Sequence, residues 1–191
     1  MLNMIQHNSS QPAGLVHGSW IAGAGIRPLD RQEDARGSFM EIYRKAWAHH
    51  EELAQMSVVH SRPGTLRGMH LHLRHDESIC VLSGEAYVGL RDIREGSSTE
   101  GVSMLIRLDG SQPSVLFFPA GIVHGWLFTA ETLHVQGVSE DYGSYGGDDN
   151  HGCHWSDPKL DLPWPVVPTN LAARAAAFGS LDELIAVTRR A

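Results

Sequence analysis

The chain has 191 residues and a formal net charge of −7 at pH 7, with Lys and Arg scattered among Asp and Glu. That length fits one domain with a substantial buried core, and that charge argues against a nucleic-acid partner. Cys80 and Cys153 lie far apart and outside any CxxC pair, so they read as buried thiols of a reducing compartment.

The opening MLNMIQHNSSQPAG has neither the basic nor the apolar region of a signal peptide. No later run approaches the roughly eighteen apolar residues of a membrane span, so a soluble, cytoplasmic protein with no membrane partner is expected. Residues 1–18 are polar and read as loosely ordered, unless they add a strand to a partner. From Ser19 onward, short β-branched or aromatic runs alternate with turn residues. Strands are predicted at 20–27, 37–43, 54–60, 65–72, 77–83, 85–92, 102–108, 114–118, 124–129 and 132–138. That rhythm predicts an all-β antiparallel sandwich or barrel.

Arg44 to Gln55 reads as a short helical insert with Trp47 and Leu53 on its apolar side. Residues 141–152, DYGSYGGDDNHG, read as a Gly/Asp-rich loop that cannot pack and lies on the surface. After a Pro-rich bend at 163–168, helices are predicted at 170–178 and 181–189, the second opened by a Ser180/Glu183 capping box. The chain thus divides into a polar segment (1–18), a β-domain (19–169) and a helical tail (170–191) that covers a sheet face or edge.

The most informative stretch is GTLRGMHLHLRHDESICVLSG, residues 64–84. His70 and His72 are two apart, so on a strand both side chains leave the same face. A tight reversal then brings Glu77 to the start of the next strand. A fourth candidate, His124, follows the turn Pro119-Ala120-Gly121 in FFPAGIVHGW. Three imidazoles and one carboxylate suit a divalent transition metal: Fe, Mn, Ni, Co or Zn. A lone His in a chain carrying twelve is ordinarily a surface or satisfied core residue. Here Gly64, His70, His72, Glu77 and Gly84 resemble the first motif of the cupin superfamily at every term. Pro119, Gly121 and His124 resemble the second, although its usual Asn is Phe128.

Beyond the cupin motifs, the chain resembles the dTDP-4-dehydrorhamnose 3,5-epimerase (RmlC-like) family. The resemblance rests on DARGSFMEIY, Gln55, TLRGMH, LSGEAYVGLRDIREGSST, FFPAGIVHGW and HWSDPKLDLPWP. It implies a jelly-roll β-barrel, a cytoplasmic homodimer, and a nucleotide-diphosphate sugar with its ring inside the barrel. By the same resemblance Arg36, Phe39 and Glu41 meet the nucleotide, Arg67 reaches the diphosphate and Gln55 contacts the ligand. A guanidinium fork donates in parallel to two phosphate oxygens. Ser57 stands where the family has Asn.

The chemistry departs from the family. Those enzymes work without metal, using a His–Asp pair, a Lys and a Tyr. The His is kept as His70, whereas the Lys falls on Glu77, the Tyr on Gln136, the Asp on Ala175, and His72 fills a position that is normally not a ligand. A carboxylate in place of an ammonium disfavours an enolate unless a metal serves as electrophile. A metal-ligated His70 is a poor general base, and His134, sharing strand parity with Gln136, is a candidate to move protons. Trp126, Trp155 and Trp164 are expected in core or rim packing. His49, His50, His75, His151 and His154 are expected to be solvated, with His75 a substitute ligand if Glu77 points away.

Three activities follow. The first is a metal-dependent epimerase or isomerase of a nucleotide-linked 4-keto-6-deoxy sugar, in polysaccharide or secondary-metabolite biosynthesis. The others are a metal-dependent oxygenase or lyase on the same scaffold, and a non-catalytic sugar-binding cupin.

Overall fold

Gly84 sits at the corner where the chain leaves one sheet for another. Its φ is 82°, and a Cβ there would lie 2.2 Å from the Glu131 carbonyl oxygen, so only glycine fits. The two sheets it joins belong to a computed structural model that describes residues 14–47, 52–145 and 147–189.

The strands in chain order are β1 (Leu15–Gly18), β2 (Gly25–Pro28), β3 (Arg31–Asp34), β4 (Gly37–Met40), β5 (Gln55–Ser61), β6 (Thr65–Leu71) and β7 (Glu77–Ser83). They continue as β8 (Glu85–Asp92), β9 (Ser103–Asp109), β10 (Ser114–Phe118), β11 (Ile122–Phe128), β12 (Thr132–Val138), β13 (His151–Gly152) and β14 (Asn170–Leu171). One sheet runs β1-β9-β8-β11-β6-β13, with β14 also on β6, and the other runs β2-β10-β7-β12-β5. They share no strand, so of the sandwich or barrel expected the jelly roll is an open sandwich, not a closed barrel. Among the described residues, strands β3 and β4 pair only with each other.

Several segments differ from expectation. Residues 15–18 pair with β9 instead of lying loose. The β3 sequence RQED is exposed throughout and offers no apolar alternation, which is why it was not predicted. In the 44–55 insert only Lys45–Trp47 forms a 3-10 turn and Gln55 already opens β5; residues 48–51, His49 and His50 among them, lie outside the described residues, as do 1–13. Asn170 and Leu171 run parallel to Thr65 and Leu66, leaving a shorter helix than predicted. The helices are α1 (Tyr142–Tyr145), α2 (Ala173–Ala176) and α3 (Leu181–Thr188). The capping box that opens α3 forms as expected, with Ser180 and Glu183 each satisfying the other's backbone N–H.

Between the sheets, Ile79, Val81, Val88, Leu90, Ile106, Leu116, Phe118 and Phe128 are buried in one cluster. Each such side chain stabilises the fold by roughly 1.5–3 kcal/mol. A second cluster lies on the opposite face of β6 and β11, where Met69, Leu71 and Val123 pack against Cys153, Leu160, Leu181 and Leu184. Strand alternation therefore turns His70, His72 and His124 inward while their neighbours anchor the C-terminal segment. The tail covers the sheet that carries the histidines.

Candidate metal centre

Strands β6 and β11 are antiparallel, and their register sets His70 opposite His124. Their backbones approach closely just beyond. Gly68 has a φ of 131°, and a Cβ there would stand 2.5 Å from the Gly125 Cα. Glu77 arrives from the other sheet as the first residue of β7, level with Phe118 and Val138.

One nitrogen of each of the rings of His70, His72 and His124 lies within 4.8 Å of the other two. Glu77, only 2% exposed, directs Oε1 to 3.1 Å from His72 Nε2 and 3.5 Å from His124 Nε2. The predicted residues His70, His72 and His124 are thus brought together, and Glu77 reaches two of them, His72 and His124. Both of the latter rings are turned the same way. His72 Nδ1 donates to the Asp149 carbonyl at 2.5 Å, and His124 Nδ1 donates to the Ile122 carbonyl at 3.0 Å. In the neutral tautomer each Nε2 then presents a lone pair to the Glu77 carboxylate. Two lone pairs facing one anionic oxygen repel unless a proton or cation intervenes. Imidazoles tethered through their outer N–H groups are the arrangement metal ligands adopt.

Electrostatics agree with the burial. Burial pushes His70 down to about 3, helped by the neighbouring His124 and His72 rings, so it is neutral at pH 7. Burial also lowers His124 against the pull of Glu77. It acts downward on His72 as well, but there Glu77 and Asp149 win and the net direction is upward. Burial raises the Glu77 carboxyl, yet the His124, His72 and His75 rings outweigh it and hold Glu77 well below the usual carboxylate range. Gln136, at the position matched to the family's tyrosine, donates to Glu77 Oε2 at 3.2 Å.

Other residues fall elsewhere. His134 is fully buried, stacks on Phe128 at 4.8 Å between centroids and has no hydrogen-bond partner for either ring nitrogen. Burial, then the charge of Arg67, push it down to about 4. Arg67 donates to Ser61 Oγ at 2.9 Å, and Gln55 donates to Ser57 Oγ and accepts the Tyr142 N–H. Arg36, Phe39 and Glu41 do not join this cluster: Arg36 pairs with Asp34, Glu41 pairs with Arg44, and Phe39 is 65% exposed on the β3–β4 hairpin. Trp126 packs in the main core, and Trp155 and Trp164 pack against the second cluster.

One further participant, Asp149, was not anticipated, and another, His75, was anticipated only as a substitute ligand. His75, expected to be solvated, is 1% exposed, and its Nε2 lies 3.4 Å from Glu77 Oε1. Asp149, inside the supposed surface loop, is 2% exposed. Neither stands in a ligand motif; the signal for His75 was its place in the reversal between His72 and Glu77, and for Asp149 the density of His and Asp around the site segments.

The family model for dTDP-4-dehydrorhamnose 3,5-epimerase matches residues 19–183. The chain belongs to the dTDP-4-dehydrorhamnose 3,5-epimerase family. This is a family of isomerases, and the expected fold and family are both found. The spore coat polysaccharide biosynthesis protein SpsL of Bacillus subtilis is 30% identical over 147 residues, 75% of this chain and 96% of SpsL. The RmlC epimerase structure of Mycobacterium tuberculosis superposes with a TM-score of 0.80 at 26% identity, covering 91% of this chain and 92% of that one. The family's epimerase from Bacillus anthracis, solved with TDP and PPi bound, gives a TM-score of 0.75 at 27% identity over 83% and 94% of the two chains.

Proposed function

We propose that this epimerase-family protein is a metal-dependent epimerase or isomerase of a nucleotide-linked 4-keto-6-deoxy sugar in carbohydrate biosynthesis. The observation that supports the metal is the meeting of the His70, His72 and His124 ring nitrogens, two of those rings, His72 and His124, also facing the Glu77 carboxylate. A divalent ion held by His70, His72, His124 and Glu77 would polarise the sugar carbonyl, an electrophilic role worth several kcal/mol in the transition state. Fe, Mn, Ni, Co and Zn all suit this donor set.

The sugar-nucleotide substrate is supported by family membership and by the TDP and PPi bound to the Bacillus anthracis relative. Arg67 supplies a guanidinium for the diphosphate. Phe39, Arg36 and Glu41, on a hairpin that projects from the sandwich, are assigned to the nucleotide across a homodimer interface; the exposed Phe39 ring supports that placement. His134 is assigned to proton transfer because its ring nitrogens have no hydrogen-bond partner; its pKa of about 4 makes it a weak base at pH 7. It stands four residues along β12 from Val138, the level of Glu77, or roughly 13 Å of strand, with Gln136 between.

The test is exchange of the C3 and C5 hydrogens of dTDP-4-keto-6-deoxyglucose in deuterium oxide. Metal-loaded protein should wash in deuterium, chelated protein should not, and added metal should restore it. Exchange by metal-free protein would sink the metal role, and calorimetry showing no dTDP binding would sink the substrate class. The replaced Lys, Tyr and Asp favour a second reading, a metal-dependent oxygenase or lyase, which predicts oxygen uptake or elimination in place of exchange.

A further inference from the structure

The loop between β12 and β13 brings a buried acid to the centre from outside both ligand motifs. Asp149 Oδ1 accepts the Leu73 N–H at 2.7 Å and its Oδ2 accepts the Arg74 N–H at 3.0 Å. The acid therefore fixes the reversal that separates His72 from Glu77. Its own carbonyl takes the His72 Nδ1 proton, which sets the tautomer of that ring. Its Oδ2 also lies 3.5 Å from His75 Nδ1, while the other nitrogen of His75 lies 3.4 Å from Glu77 Oε1. The His75 ring is packed on His72, with centroids 4.2 Å apart and planes at 31°.

A carboxylate removed from water costs several kcal/mol unless its oxygens are satisfied. A loop that merely connects two strands has no need to bury one. Among the described residues, the hydrogen bonds and ion-pair contact of Asp149 go to residues 72–75, the segment between His70 and Glu77. The end of the loop is tied down as well, since His151 pairs with Leu71 and Gly152 with His70.

We propose that Asp149 and His75 are the positioning residues of the divalent-metal centre, holding His72 and Glu77 in ligand geometry from a loop docked on β6. This inference rests on the metal centre proposed above. Neither residue touches the reacting atoms. Asp149 orients His72 and the turn, and His75 transmits the same restraint to Glu77.

The test uses the full chain, without a His-tag, titrated with Co(II) against a competing chelator. Asp149→Ala and His75→Phe should weaken Co(II) binding by about 10–100-fold and change its visible absorption bands. The metal-free variants should keep the wild-type circular dichroism. His75→Gln, which retains a donor toward Glu77, should lie closer to wild type than His75→Phe. Should Asp149→Ala fail to fold, Asp149→Asn and the two His75 variants decide by the same readouts. Variants that bind Co(II) within twofold of wild type with an unchanged spectrum would overturn the positioning role alone. A wild-type protein that binds no Co(II) would overturn the metal centre and this proposal with it.

Discussion

Glu77 replaces the lysine expected by family resemblance, and its surroundings have changed to match. Three imidazoles and the Gln136 amide face it, a set that stabilises an anion and would leave an ammonium without a counter-charge. Glu77→Gln should therefore lower Co(II) or Zn(II) affinity at least tenfold, about 1.4 kcal/mol, as read by chelator competition. His134 gives a different signature. Its folded pKa of about 4 lies below the ordinary 6.5, so the unfolded chain binds more protons between those values. Stability from this group is full above about pH 6.5 and is lost as pH falls toward 4. His134→Phe should remove that loss, gaining about 2 kcal/mol relative to wild type at pH 5 compared with pH 7 in urea melts. Equal pH dependence in the two proteins would count against a buried neutral imidazole.

Strand β6 works on both faces. Its inward residues include His70, whereas Met69 and Leu71 pack outward against Leu181 and Leu184 of α3. The C-terminal helix thereby sets the depth of the strand that carries the ligands. Leu184→Ala should destabilise the protein by about 2–5 kcal/mol in urea unfolding, through lost transfer energy and the cavity left behind. The same variant should weaken metal binding while leaving every ligand in place. Unchanged affinity at reduced stability would show that β6 is held by the sheet alone.

Across the whole molecule, the centre ties the two sheets together: His70 and His124 come from the seven-stranded sheet and Glu77 from the five-stranded one. An ion bound between sheets that share no strand binds the folded state in preference to the unfolded one. At a hundred times its Kd, it should add about 2.7 kcal/mol of stability. Thermal melts with and without metal should separate for wild type and coincide for Glu77→Gln. A metal that leaves the wild-type melt unmoved would argue that the imidazoles do not share it.

The spacing of His70, His72, Glu77 and His124, the alternation in β6 to β12 and the Ser180/Glu183 cap were enough to determine the strand-rich fold and which side chains gather between the sheets. Those features are local, governed by the two-residue period of a strand and by the reach of a cap. Sequence did not determine the open edges of the sandwich, the pairing of residues 15–18, or the burial of Asp149 from an otherwise outward-facing loop. It also could not place His75 and Asp149, whose burial depends on partners more than seventy residues apart in the chain. Such contacts leave no periodic trace, because the energy that selects them arises only when distant segments meet.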